Sequence, residues 1–279
     1  MIDAQFLDGL ARFNLIVRKR VTSNYAGPRR SISTGRGVIF KDHRIYAPGD
    51  DFRAIDWRVY ARTDDLMVKN YEEEKNLSVH IIVDKSSSMN FGKKFDYASM
   101  LGVGYAYLAL KNNDKFQFAT FSDEIDVYQP KKGVSQLISM IDYLNSRKLS
   151  GKTDITGLVQ KYKNYIWSRS MVVIISDFLV PIEEIKEALA YFQGHEVKLI
   201  QVLDKRELNP DIEGDFKMKD SESEAELRVY FSPKSREDYL ARLDQHTADI
   251  KHEAELLDID FFQVSTNTPI FDTFYTVLR

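Results

Sequence analysis

Residues 77–92 read LSVHIIVDKSSSMNFG. The first seven are apolar but for Ser78 and His80, and they are rich in β-branched residues. Such a continuous run reads as a strand buried on both faces, the kind that parallel sheets contain. Its carboxyl end is unusual: Asp84, Lys85, then Ser86, Ser87 and Ser88 crowd short oxygen-bearing side chains into one loop. In an open parallel sheet, ligands bind at the carboxyl ends of the strands, near the point where strand order reverses. The stretch therefore sets both a fold expectation and a place to look for chemistry.

Outward from it, strands and helices alternate. KFDYASMLGVGYAYLALKN carries Phe95, Ala98, Leu101, Tyr105 and Leu108 at helical spacing. KFQFATFSD reads as a strand, with VYQP a short strand paired to it across the SDEID turn. GVSQLISMIDYLN and ITGLVQKYKNYIW read as helices, SMVVIISDF as a second buried strand, IEEIKEALAYFQ as a helix and VKLIQVLD as a strand. This alternation predicts an α/β fold: a doubly wound, mostly parallel, Rossmann-like sheet covered on both faces.

Past Asp204, DFKMKD and ELRVYF flank the polar turn SESEA, which predicts a hairpin insertion around residues 212–231. Ser232-Pro233 reads as a helix start, serine as N-cap and proline at the first helical position. The helix that follows aligns Tyr239, Leu243, Ile250, Ala254 and Leu257, and FFQVST reads as the last strand. The expected division is an N-terminal helix and signature segment over 1–76, then the α/β domain over 77–279 with its hairpin and helix addition.

Composition narrows the function classes. A chain of 279 residues with 43% hydrophobic content has material for a sizeable core, and a formal net charge of −3 predicts no strong attraction to nucleic acid or membrane surfaces. There is no cysteine, hence no disulfide, thiolate zinc site or cysteine nucleophile. No apolar run approaches the roughly 20 residues of a membrane span. The N-terminus has acidic residues early and basic ones late, unlike a signal peptide, so a cytoplasmic protein is expected. Between Asp8 and Asp42 every charged residue is basic: Arg12, Arg18, Lys19, Arg20, Arg29, Arg30, Arg36 and Lys41. This segment reads first as a solvated stretch, and second as a docking surface for an acidic partner or nucleic acid.

Asp84 ends one predicted parallel strand and Asp177 ends another, so the fold brings both to one rim. Ser86 and Ser88 add hydroxyls, and Thr153, in the GKTDI loop, adds a third. Two carboxylates and three hydroxyls suit a hard divalent cation such as Mg²⁺ or Mn²⁺. The alternative is that Asp84 and the serines cap a helix.

Asp84-x-Ser86-x-Ser88 with Thr153 and Asp177 resembles the metal-ion-dependent adhesion site of von Willebrand factor A domains. The resemblance implies that Ser86, Ser88 and Thr153 touch the metal, with Asp84 and Asp177 acting directly or through water. It further implies a cation left short of negative charge, which a partner's carboxylate completes. Lys152, just before Thr153, Phe178, just after Asp177, and Asp123, at another strand end, are then candidate partner contacts.

Upstream, Tyr46-Ala47-Pro48-Gly49-Asp50-Asp51-Phe52-Arg53-Ala54-Ile55-Asp56-Trp57, followed by Ala61-Arg62-Thr63, holds a turn signal at Pro48-Gly49 and candidate caps at Asp50 and Asp51. Arg53 and Asp56, three apart, are expected to pair. The string reads as an ion-paired brace, or alternatively as a recognition surface. It resembles the signature of a bacterial and archaeal family of unknown function with a von Willebrand factor A-like domain, often encoded beside MoxR-type AAA+ ATPases. Many of those relatives carry transmembrane helices ahead of this region, and their absence here implies a soluble form.

Enzyme motifs fall short. Ser86 stands where a haloacid-dehalogenase-type phosphatase needs its second aspartate. Gly151-Lys152-Thr153 lacks the first glycine of a P-loop, and Gly102-x-Gly104 lacks a third glycine at Tyr107. His43, His80, His195, His246 and His252 are scattered, with His80 expected to be packed in the core. The expectation is a non-enzymatic, metal-dependent interaction module working with an AAA+ ATPase. A metal-assisted hydrolase with Asp123 as base, or nucleic-acid binding by the basic segment, are the alternatives.

Overall fold

The computed structural model describes residues 2–24, 34–72, 78–128, 133–166, 168–211, 214–219 and 226–278. It divides into two compact units, one of residues 1–16 with 77–279 and the other of residues 17–76. The opening sixteen residues thus group with the α/β unit rather than with the signature segment, unlike the expected break at 76/77.

In the larger unit, one mixed sheet holds β3 (Ser78–Asp84), β4 (Lys115–Phe121), β5 (Ile125–Tyr128), β6 (Met171–Ser176), β7 (Glu196–Leu203) and β10 (Asp260–Ser265) in the order β10-β7-β6-β3-β4-β5. Five strands are parallel, and only β5 runs antiparallel, against β4. From β3 the chain builds outward through β4 and β5, then crosses to β3's other side to lay down β6, β7 and β10. Strand order therefore reverses between β3 and β6. β6 is buried at every position, as a strand covered on both faces must be.

One face carries α3 (Lys94–Lys111), α4 (Val134–Ser146) and α9 (Ile270–Val277); the other carries α5 (Ile155–Tyr162), α6 (Ile182–Tyr191) and α8 (Pro233–Leu256). On the second face Leu158, Val159, Ile185, Leu189, Ile250 and Ala254 pack on Ile82, Val172, Ile174 and Leu199. The predicted Ser232 cap is present, its hydroxyl accepting from the Ser235 N–H at 3.1 Å. Buried side chains of this kind are worth about 1.5–3 kcal/mol each.

One element of the larger unit escapes the sequence pattern. α9 was not expected, and it seats the beginning of α1 (Ala4–Asn24): Phe13 packs on Phe271, Phe274 and Tyr275, with ring centroids 4.8–6.1 Å apart. Gly104 is the glycine this requires, since a Cβ there would stand 2.1 Å from the Phe274 ring. The glycine pair is a packing feature of α3, not a phosphate loop. His80 is buried as expected, with its Nδ1 3.0 Å from the Tyr162 hydroxyl.

A small β8 (Gly214–Lys219) and β9 (Glu226–Phe231) hairpin follows α7 (Lys205–Leu208). The predicted SESEA turn lies outside the described residues, as do residues 25–33 of the basic segment and the side chains of Arg18, Lys19, Arg20, Arg36 and Lys41.

The smaller unit is a hairpin of β1 (Thr34–Ile45) and β2 (Met67–Glu72) enclosing α2 (Trp57–Thr63). Three of its acidic residues are structural. Asp50 grips Arg44 with two bonds of 2.6 and 2.7 Å and accepts the Ala47 N–H, which hold its carboxyl down at about 2. Asp51 caps a 3₁₀ turn over Phe52–Ala54 by accepting from the Arg53 N–H. Asp56 caps α2 and takes His43 at 3.0 Å and Lys69 at 3.4 Å. The expected Arg53–Asp56 pair is thus replaced by partners from the two strands, and Arg62 turns back onto the Arg58 carbonyl. Gly49 has φ +107°, the turn backbone that Pro48-Gly49 announced. Phe52 and Trp57 remain 64% and 58% exposed. Among the described residues, no helix is long and apolar enough to cross a membrane.

Candidate metal centre

The reversal of strand order sets Asp84, the last residue of β3, beside Asp177, the first after the neighbouring β6. Both side chains are buried, at 0% and 1% exposure. Each is held by donors from other loops. Asp84 Oδ1 accepts the Ser86 N–H at 2.8 Å; Oδ2 accepts the Ser176 hydroxyl at 2.6 Å and the Thr153 hydroxyl at 3.2 Å. The Ser88 hydroxyl donates to Asp177 Oδ2 at 2.7 Å and lies 3.0 Å from the Ser86 hydroxyl. The five residues predicted from sequence therefore meet in one hydrogen-bonded cluster.

Local structure explains the convergence. The loop carrying Thr153 is stitched to the serine turn by the Ser87 N–H on the Gly151 carbonyl at 3.0 Å and the Ser150 N–H on the Lys85 carbonyl at 3.2 Å. Gly151, at φ +84°, has no room for a Cβ, which would stand 2.0 Å from Asp123 Oδ1. Lys85 leaves the cluster altogether and pairs with Asp126 at 2.9 Å. The helix-cap alternative for Asp84 does not hold: Ser86 precedes a 3₁₀ turn with no side-chain cap, and Asp84 spends both oxygens on the cluster.

The electrostatics are those of a site with surplus negative charge. Burial, with Asp177 as a like-charged neighbour, pushes the Asp84 carboxyl up to about 7. Among the described residues one cation enters the cluster, and it was not read from the sequence. Lys94, only 1% exposed, places Nζ 2.8 Å from Asp177 Oδ2 and 2.7 Å from Glu207 Oε1. Burial opposes its charge, but Asp177 and Glu207 outweigh that and raise its pKa. A signal for it did exist: lysine in the first turn of a helix opposes the helix dipole, and α3 opens on Lys94.

Against one ammonium stand three carboxylates, of Asp84, Asp177 and Glu207. Among the described residues no three His, Cys, Asp or Glu side chains are placed to hold a single metal ion. An ion bound here would be offered two carboxylates and the hydroxyls of Ser86, Ser88 and Thr153, hard oxygens of the kind a hard divalent cation takes.

The candidate contacts around it divide. Lys152 and Asp123 are exposed on the rim. Phe178 is not: it is 1% exposed and sits in the core of the second face. Its φ of +51° turns the chain after β6 so that the ring points inward. The apolar residue that this loop offers is Leu179, at 44% exposure. Beside the cluster, Phe91, Arg206, Glu207, Phe231, Tyr239 and Arg242 line a cavity of about 950 Å³.

The chain is 27% identical over 257 residues to an uncharacterized protein of Mycobacterium tuberculosis, an alignment covering 89% of this chain and 81% of that relative. Among solved structures it is similar to an aerotolerance-related membrane protein of Bacteroides fragilis, at 15% identity and TM-score 0.44 over 72% of this chain and 96% of the other. It is also similar to the Rpn10 VWA domain, at 10% identity and TM-score 0.41 over 72% of this chain and 94% of that one. Residues 42–249 match the family described as protein of unknown function DUF58, and the chain belongs to that family.

Proposed function

We propose that the protein is a non-enzymatic interaction module whose oxygen cluster holds a divalent cation, Mg²⁺ or Mn²⁺, and through it a carboxylate of a partner protein. The observation that carries this reading is the meeting of Asp84, Ser86, Ser88, Thr153 and Asp177 at the point where strand order reverses. When bound, the cation supplies a Lewis-acidic centre that a partner's carboxylate completes.

The chain's own residues do the rest. Asp84 and Asp177 provide charge from inside the core, and Ser86 and Thr153 orient beneath the surface. Ser88, the most accessible of the five, faces the approach. Exposed Lys152 draws an acidic partner toward the rim, and Leu179 and the neighbouring cavity give apolar contact around it. From the signature over residues 46–57, the partner is an AAA+ ATPase of the MoxR type, or a client presented with it, in the assembly or remodelling of other proteins.

Asp123 counts against hydrolysis. It is exposed, and the Ser122 hydroxyl, donating at 2.8 Å, holds its carboxyl below the usual range, which makes a poor general base. The test is capture of the cognate ATPase by the immobilised full chain, with Mg²⁺ or with chelator, beside Asp84→Ala. Recovery only with Mg²⁺ and wild-type chain is expected. Equal recovery in all lanes rejects cation-mediated docking, and phosphoester or ester turnover lost on chelation restores the hydrolase.

A further inference from the structure

We propose that Lys94 is a tethered cation of the oxygen cluster, and that Glu207 sets how strongly its charge opposes an incoming divalent ion. The inference rests on the reading of the cluster as a cation site and adds two residues to it.

The geometry is specific. The Lys94 stem is buried and its ammonium ends between two carboxylates, 2.8 Å from Asp177 and 2.7 Å from Glu207. It shares Asp177 Oδ2 with the Ser88 hydroxyl, while Oδ1 accepts the Leu179 N–H at 3.3 Å. Glu207 is itself fixed: its other oxygen accepts the Asp204 N–H at 2.7 Å, the second half of the capping box that starts α7. Glu207 is thus not a loose surface acid but a positioned anchor that holds Lys94 from the far side.

Two consequences follow. The ammonium neutralises part of the buried charge, so the cluster keeps its shape with no divalent ion bound. A divalent ion, in turn, must share Asp177 with a positive charge that cannot leave, so its affinity is lower than the oxygen donors alone would give. Lys94 and Glu207 then act in opposite senses: the lysine weakens cation binding, and the glutamate strengthens it by drawing the ammonium away and adding negative charge. A purely structural salt bridge has no such opposition, because losing either partner would loosen the site and weaken binding in both cases.

The experiment is calorimetric titration of the full chain with MgCl₂ and with MnCl₂, comparing wild type, Lys94→Met and Glu207→Gln, with circular dichroism and melting curves to verify folding. Lys94→Met is expected to tighten both ions at least tenfold, the conservative end for removing a unit charge within a few Å of a divalent ion. Glu207→Gln is expected to weaken them at least tenfold. Weaker or unchanged binding in folded Lys94→Met, or unchanged or tighter binding in Glu207→Gln, overturns the proposal. If Lys94→Met does not fold, Glu207→Gln decides alone. Binding by Lys94→Met but not by wild type would uphold the tethered cation while removing the cation-dependent reading of the native protein. Equal binding by all three would do the reverse, and binding by none would end both.

Discussion

Thr153 donates its hydroxyl to Asp84 Oδ2 at 3.2 Å across 69 positions of sequence, closing the oxygen cluster between two loops that share no strand. Ser176 uses the same oxygen at 2.6 Å from a third segment. The carboxylate is thus positioned by the fold as a whole, not by its own turn.

Thr153→Val keeps the shape and removes one donor from a buried carboxylate. The expected cost is about 1–2 kcal/mol in urea unfolding, the usual range for a lost buried partner. Mg²⁺-dependent capture of the partner should fall at the same time. Wild-type stability in the variant would mean that the contact contributes nothing.

A cation bound only by the native state stabilises it by mass action, about 2.7 kcal/mol at a hundred times its dissociation constant. For a chain of this size that raises the melting temperature by several degrees. Mg²⁺ should therefore shift the wild-type melting curve upward and chelator should return it. Asp84→Asn, matched in shape but without the charge, should show no shift. An identical shift in both proteins would place the ion elsewhere.

Much of this was legible in the sequence, for identifiable reasons. β3 and β6 are buried on both faces and so read as largely apolar runs, and the carboxyl ends of such strands are where Asp84 and Asp177 stand. Lys94 went unread despite its unfavourable place in the first turn of α3, because its partners Asp177 and Glu207 lie 83 and 113 positions away. Phe178 misled for a related reason: a residue after a strand-end aspartate reads as rim, and only its positive φ turns the ring into the core. The pairing of Asp56 was missed because His43 and Lys69 stand on β1 and β2, and neither strand was read from the sequence.

The buried imidazole of His80 gives a pH signature. Burial, with His195 adding charge nearby, drives its pKa down to about 4 from an ordinary 6.5. Between those values the native state keeps the ring neutral while the unfolded chain takes a proton, so stability falls as pH drops through the window. The full loss is on the order of 3 kcal/mol. His80→Gln should flatten this part of the profile relative to wild type, measured by urea unfolding between about pH 7 and pH 4. Parallel profiles would show that His80 titrates normally.

Phe178 sets two effects against each other at one position. Its ring is fully buried in the core of the second face, and its backbone, at φ +51°, is in the left-handed region that costs a non-glycine residue about 1–2 kcal/mol. Removing the ring is the larger effect, so Phe178→Ala should lose about 3–5 kcal/mol. Phe178→Gly removes the ring as well but relieves the backbone. It should be more stable than Phe178→Ala by about 1 kcal/mol, against the usual order in which glycine is the worse substitute because it frees the unfolded chain. Both variants keep the Ser176 and Asp177 backbone, so cation-dependent capture should survive in each at temperatures where it remains folded. If alanine proves the more stable, the backbone at this turn carries no strain, and the inward ring is held by packing alone.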